Sequence, residues 1–280
     1  GAGRNKTLGQ EEFNRLRIPV PPIAYQSTAV RVLRIADRAI KKATTLIVAK
    51  RKLKKGLAQK LLTGMRRLPG FAQPWRSCRL DTVSRITKGA GVTKDETQPS
   101  GVPAVRYGEL YTTYDVRIDE VQSFIGADSA SRSKPIQHGD VLLPGSGEDR
   151  IEIGKAVAYM CDKTAYAGGD VIIVSPKHVN SVFLAYMFDG TSVRREFYRR
   201  AQGESIVHIY MRDVGRLELR LPPLDEQCRI AAVLEAADRE IGLLEKKRSA
   251  LCELSKGLMQ KLLTGNVRVP ASMLKEAAHA

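Results

Sequence analysis

Between residues 181 and 203 the chain reads SVFLAYMFDGTSVRREFYRRAQG, and its second half sets Arg194, Arg195, Arg199 and Arg200 beside Phe197 and Tyr198. Guanidinium groups with interleaved aromatic rings suit the binding of phosphate backbones, with the rings able to stack on or wedge against bases. A solvated helix face is the competing reading of the same spacing, because arginines four and five residues apart lie partly on one side. Polar residues on glycine-rich loops could add contacts to the same ligand: Lys88, Lys94, Arg106, Tyr107, Ser131, Ser133, Ser146, Arg150 and Lys155. Their chemistry is legible, but their placement is not.

Catalytic patterns are missing. TKGAGVTK (87–94) lacks the GxxxxGK[ST] spacing of a phosphate-cradling loop, and no GxGxxG opens a βαβ unit. A nucleic-acid methyltransferase would need an [N/D]PP[Y/F] element, whereas VPPI and LPPL carry neither the amide nor the ring. Glu148-Asp149 and Glu152 are close in sequence, but EDRIE describes a polar hairpin better than a metal nuclease site. His138, before Gly139-Asp140, reads as a surface turn residue. Cys78, Cys161, Cys228 and Cys252 form no CxxC pair, so neither structural zinc nor a disulfide framework is expected. Enzymatic activity of this chain alone, and a cofactor or metal of its own, are not expected.

Charge narrows the partners. The 280 residues hold 46 Lys and Arg against 30 Asp and Glu, a net charge of +16, well above the roughly 2–8 usual for a small soluble domain. Polyanions are the natural ligands. An anionic membrane surface fits less well, because no lipidation motif and no basic helix with a bulky aromatic face occurs. No apolar run approaches the roughly 18–20 residues of a membrane span, and GAGRNK has no signal-peptide core. A soluble, cytoplasmic protein is expected.

The elements that must position these residues announce themselves by repetition. GLAQKLLTG (56–64) recurs as GLMQKLLTG (257–265), offset by 201 positions. On the same diagonal PPIAYQ meets PPLDEQ and IADRAI meets AADREI; about 22 of 53 positions are identical between 17–69 and 218–270, without a gap. Arg15-Leu16 also matches Arg216-Leu217, so residues 1–20 read as the tail of a preceding domain. Each copy predicts one long helix, starting after the proline pairs near residues 25 and 226 and stopping at Gly64 and Gly265. Copy two spaces Ile230, Leu234, Ala237, Ile241, Leu244, Leu251, Leu258 and Leu262 in steps of three and four, interrupted by Arg248 and Ser255. Copy one repeats the seam with Leu33, Ala36, Ile40, Ala43, Ile47, Leu57 and Leu61, interrupted by Lys50 and Lys54.

Two seams in one chain most simply pack on each other. A helix over 26–63 is roughly 57 Å long at 1.5 Å per residue, whereas about 150 intervening residues form a globule of radius of gyration about 15 Å. Antiparallel pairing spares that globule from spanning the helix length. The intervening residues 70–217 alternate short apolar runs, GDVLLPGSG, RIEIGKAVAYM and DVIIVSP, with turn signals, and predict a mixed α/β domain containing one helix over 181–203. The fold class expected is therefore α+β: a mixed α/β globular domain flanked by two long helices in an antiparallel coiled coil. Charge separates the two helices. Residues 31–67 hold thirteen Lys or Arg against Asp37 alone, while 225–268 hold eight basic and seven acidic residues. The basic helix therefore faces DNA or an acidic partner surface, or else complements acids on the second helix.

The paired motifs PPLDEQ, AAVLEAADREI and GLMQKLLTG, with PPIAYQ, RVLRIADRAI and GLAQKLLTG, resemble the conserved regions of type I restriction-modification specificity subunits. PWRSCRLDTVSRITKG (74–89) is similar to the opening of a target recognition domain in that family, and HGDVLLPGSG with IGKAVAY to its central strands. The resemblance implies a non-catalytic subunit that reads one half of a split double-stranded DNA sequence and uses its coil to set the separation of two recognition domains. It further implies docking of modification subunits, which methylate adenine with S-adenosylmethionine, and of a restriction subunit, which cleaves DNA using ATP and Mg. The organisation implied is a tail of a preceding recognition domain (1–20), a first conserved helical region (21–69), a target recognition domain (70–217), a second helical region (218–270) and a tail (271–280). A complete member carries two recognition domains, so this chain reads as a C-terminal portion or as a half-sized subunit that homodimerises. Ala24-Tyr25 where copy two has Asp225-Glu226 also puts equal docking at the two helix starts in question. A stand-alone coiled-coil DNA-binding regulator is the alternative.

Overall fold

In a computed structural model the described residues are 9–17, 20–148, 150, 153–203 and 206–267. They divide into two compact units, residues 52–238 and residues 1–51 with 239–280. Two forty-residue helices, Ile23–Leu62 and Leu224–Leu263, carry the repeated sequence. Each starts directly after its proline pair, where a missing backbone N–H costs nothing. Gln26 and Gln227 fold back identically, each donating its amide at 2.8 Å to the carbonyl of the first proline of its pair, Pro21 and Pro222. Each helix stops at a glycine in the left-handed region, Gly64 (φ 73°) and Gly265 (φ 72°). There the chain turns back, and Arg66 N–H and Val267 N–H reach the Lys60 and Lys261 carbonyls at 3.1 and 3.2 Å.

In the unit built from 1–51 and 239–280 the helical segments run antiparallel. Tyr25 Oη donates to the carbonyls of Leu262 (3.2 Å) and Val267 (2.8 Å), while Lys50 meets Glu240 at 2.6 Å. Ala43, Ile47 and Ile241 are buried on the expected seam, and Ala29 packs with Leu262, Leu33 and Leu258. The short helix Gln10–Asn14 lies 201 positions before Met211–Gly215, the same offset as the repeat.

In the unit 52–238 a five-stranded sheet runs in the order Ser84–Lys88, Val171–Pro176, Val141–Pro144, Val157–Tyr159, Arg117–Ile118, antiparallel but for the last pair. It is apolar on both faces. Val141, Leu143, Ile172 and Val174 face the helix Ser181–Asp189, the first-helix residues Leu61 and Leu62, and Ile230 and Leu234 of the second. Their neighbours Leu142, Val157, Tyr159 and Ile173 face Val105, Leu110, Ile136 and Ala165, a strand alternation of period two. A second sheet runs Thr97–Gln98, Ser123–Ile125, Val102–Val105, Ala165–Ala167, Lys134–Ile136, and Arg76–Arg79 pairs antiparallel with Glu218–Leu221. The expected mixed α/β domain is present.

Three expectations change. The helix expected over 181–203 is two, Ser181–Asp189 and Thr191–Arg200, because Gly190 has extended geometry (ψ 146°) and caps the second. Of the segment 150–160, expected as one strand, Val157–Tyr159 is strand among the described residues, with Ile153–Gly154 in a turn; Asp149 and residues 151–152 lie outside the described residues. The basic first helix is not held wholly toward an external polyanion. Lys50 pairs with Glu240 and Arg51 with Glu245 (2.5 Å), and Lys54 pairs with Asp238 within its own unit. Lys50 and Lys54 are the polar interruptions of the first seam, so each seam lysine has an acid facing it.

Glu226, fully buried, accepts from Arg67 Nε and NH2 (2.6 and 2.7 Å) and from Trp75 Nε1 (3.2 Å). A buried carboxylate holding a guanidinium and an indole serves the fold. Phe197 is fully buried and packs edge-on against Phe188 at 5.8 Å. Phe197→Ala should destabilise the chain by about 3–5 kcal/mol in urea unfolding. Lys50→Glu should lower the melting temperature more than reversal of the exposed Lys52, which pairs with no acid among the described residues; equal effects would contradict the seam pairing.

Candidate nucleic-acid interface

Three strand ends of the central sheet converge on a cleft of about 460 Å³. Lys88 closes the first strand, Asp170 precedes Val171–Pro176, and Gly145 follows Val141–Pro144. Gly145 N–H donates to the Asp170 carbonyl at 2.6 Å, and Ile209 N–H donates to the Gly145 carbonyl at 2.9 Å. The far wall is a turn in which Gln202 and His208 exchange both backbone hydrogen bonds, at 2.9 and 2.7 Å. Gly203 makes this turn possible: its φ is +106°, and a Cβ there would sit 2.0 Å from the Ile206 carbonyl oxygen. Val207–His208 also pairs with Ser146–Gly147. Backbone pairing therefore fixes where the main chain presents Gln202 and His208.

Within the cleft Asp170 accepts from Ser146 Oγ (3.0 Å) and pairs with Lys88 Nζ (3.3 Å). The His208 and Tyr210 rings stack with centroids 6.5 Å apart. Tyr210, Met211 and Arg212 are exposed at the start of the short helix Met211–Gly215, and Arg212 lies 3.8 Å from the neighbouring Asp213. Amide, imidazole, phenol, guanidinium, ammonium and carboxylate thus surround one hollow.

Beside it the loop Gly89–Glu96 is held in a strained shape. Val92 has φ 53°, which costs a β-branched residue about 1–3 kcal/mol. Its side chain is buried with Ala104, Ile125 and Ala130, and the Gly91 carbonyl accepts from Gly169 N–H at 3.0 Å. Glu96 takes the Thr93 N–H (2.8 Å), the Thr93 and Ser129 hydroxyls (each 3.0 Å) and Arg132 (3.0 Å). These bonds leave Lys94 exposed on a fixed loop.

The sequence candidates separate in this geometry. Lys88 and Ser146 come to the cleft, Ser146 buried and reaching it through Asp170. Lys94 and Tyr107 are exposed. Arg106 is held by Glu109 at 2.9 Å, capping its own short helix. Ser131 and Ser133 donate to the Asp128 and Ser129 carbonyls, each at 2.7 Å, finishing a helical turn. Lys155 donates to the Tyr114 carbonyl at 2.6 Å and Arg150 to the Gly203 carbonyl at 2.9 Å. On the helix Thr191–Arg200, Arg194 pairs with Asp189, and Arg199 and Arg200 with Glu196. Among the described residues Arg195 has no such partner, and with Tyr198 and Arg199 it forms an exposed stripe at spacings of three and four. Val193 and Phe197 fill the buried side, so the aromatic pair splits between core and surface. His138 is exposed, 3.7 Å from Asp162.

No sequence motif singles out Gln202, His208, Tyr210 and Arg212. The one available signal is the alternation in VHIYMR, where Val207 and Ile209 are buried and His208 between them is not. No described helix is long and apolar enough to cross a membrane, and no three His, Cys, Asp or Glu side chains cluster among the described residues. The hydrogen bonds from Thr93, first its amide and then its hydroxyl, hold the Glu96 carboxyl below its ordinary pKa. A carboxyl lowered by folding stabilises above its unfolded pKa and loses that contribution as pH falls through the folded value. In an NMR titration the Thr93 amide should therefore shift with a midpoint below the ordinary Glu range, and Glu96→Gln should abolish that step; an ordinary midpoint would count against the loop lock.

Comparison with known proteins bears on the family and the fold. The chain is similar to the MjaVIII specificity subunit of a type I restriction enzyme from Methanocaldococcus jannaschii, 24% identical over 280 residues, covering 92% of this chain and 63% of that protein. A putative MjaX specificity subunit from the same organism is 24% identical, with 96% and 63% covered. The chain thus spans less than two thirds of the length of these relatives. In fold it is similar to the HsdS subunit from Thermoanaerobacter tengcongensis (TM-score 0.53, 20% identity, 95% of this chain and 65% of that one). It is likewise similar to the type I restriction-modification S subunit from M. genitalium (TM-score 0.56, 14% identity, 86% and 61%). A family model matches residues 73–253, which take in the globular domain and most of the second helix, and by that match the chain belongs to the type I restriction modification DNA specificity domain family.

Proposed function

We propose that this chain is the DNA-reading part of a specificity subunit, with one target recognition domain over 70–217 that recognises one half of a bipartite double-stranded target. The observation that carries this reading is the family match across the globular domain and second helix, in a chain whose net charge is +16. Lys88, Lys94, Arg195 and Arg199 are exposed or half-paired cations suited to phosphate. Arg106, Arg150, Lys155, Ser131 and Ser133 instead serve the fold. The chain has no catalysis of its own in this scheme. Modification and restriction subunits dock on it and bring S-adenosylmethionine, ATP and Mg, and the antiparallel helices set the spacing of half-sites.

A second recognition domain is part of the proposal. Phe13, Leu16 and Val20 are 64%, 59% and 72% exposed, whereas their counterparts 201 positions on, Val214, Leu217 and Leu221, are buried in the domain core. Residues 9–20 therefore have the pattern of closing elements of another such domain, supplied by a longer subunit or by a second copy. Co-expression with a modification subunit should yield a complex that the isolated chain's mass excludes. In DNA titrations over a salt series, Arg195→Ala and Arg199→Ala should each reduce the slope of log K against log salt by about 1. A chain that neither associates with a modification subunit nor prefers any duplex sequence would sink this reading.

A further inference from the structure

We propose that the half-site is read at the cleft, with Gln202, His208 and Arg212 as specificity-determining residues, while the arginine helix only grips phosphate; the inference rests on the DNA-reading function proposed above. Telling base pairs apart takes donors and acceptors at fixed positions, because adenine offers an acceptor and a donor, guanine two acceptors, and thymine a methyl group. The exposed stripe of the helix Thr191–Arg200 presents guanidinium donors and one phenol, and Glu196 holds Arg199 along the helix. That set suits a uniform row of phosphates.

The cleft offers the mixed set. Gln202 can donate and accept through one amide, His208 can do the same through its ring, and Arg212 suits the paired acceptors of guanine. Met211, 39% exposed in the same cleft, is apolar surface of the kind that contacts a thymine methyl. The main chain that carries Gln202 and His208 is also preorganised, as reading requires. Gln202 and His208 exchange two backbone hydrogen bonds, His208 pairs again with Ser146, and Ile209 is tied to Gly145. Lys88, anchored by Asp170 at 3.3 Å, supplies a cation at the same mouth.

The test uses the full chain and a pool of random-sequence duplexes, with the bound fraction sequenced. Wild type should enrich a short consensus. Gln202→Ala, His208→Ala and Arg212→Ala should each relax or change positions within it, lowering the ratio of consensus to scrambled affinity about ten-fold. Arg195→Ala with Arg199→Ala should keep the consensus while weakening all duplexes alike. Arg212, 68% exposed, can be replaced without touching the core, so its variant reports even if the others fold poorly. A consensus unchanged in the cleft variants, or altered by the helix variant instead, overturns this inference and leaves DNA reading intact. The absence of any wild-type consensus overturns the DNA-reading function itself.

Discussion

Glu226 is the point on which the globular unit hangs. A carboxylate without solvent access is costly to bury unless it is fully paired, and this one is held by the Arg67 guanidinium and the Trp75 indole. Arg67 follows the end of the first long helix, Glu226 sits in the first turn of the second, and Trp75 begins the segment between them. One interaction therefore joins the chain's way into the domain to its way out. Around that join Arg76–Arg79 zips onto Glu218–Leu221, and Arg67 also donates to the Gln73 carbonyl. Tyr186 adds a second tie, its hydroxyl donating to Asp238 at 2.6 Å, and burial first and the carboxylate second push its phenol up.

The repeated helices show how equal local codes reach different surroundings. The same proline pair, glutamine return and terminal glycine give forty-residue helices with matching ends. Yet position 25 is a tyrosine hydrogen-bonded to carbonyls, and its counterpart 226 is a buried acid. Local signals set where helices begin and stop; tertiary partners decide what their first turns do.

The helices, their seams and the apolar central strands were legible because periodicity writes burial directly into sequence. Leu142 and Leu143 facing opposite sides of one sheet follow from strand geometry alone. The break at Gly190 was hidden because apolar and basic halves read continuously across it. The site was less legible. Arginines at 194, 199 and 200 look free in sequence but find Asp189 and Glu196 within helical reach. Ser131, Ser133 and Lys155 satisfy backbone carbonyls, a demand that no side-chain pattern advertises. Gln202, His208 and Arg212 meet Lys88 and Asp170 only because distant strands share a sheet end.

The lysines set into the first helical seam have a consequence for assembly. The first helix, Ile23–Leu62, carries eleven cations and the single acid Asp37, a charge that repels a second copy of itself. Lys50 and Lys54 tolerate half-burial because Glu240 and Asp238 stand opposite, and two first helices side by side would offer them none. Charge thus favours pairing of unlike copies of the repeat over pairing of like with like.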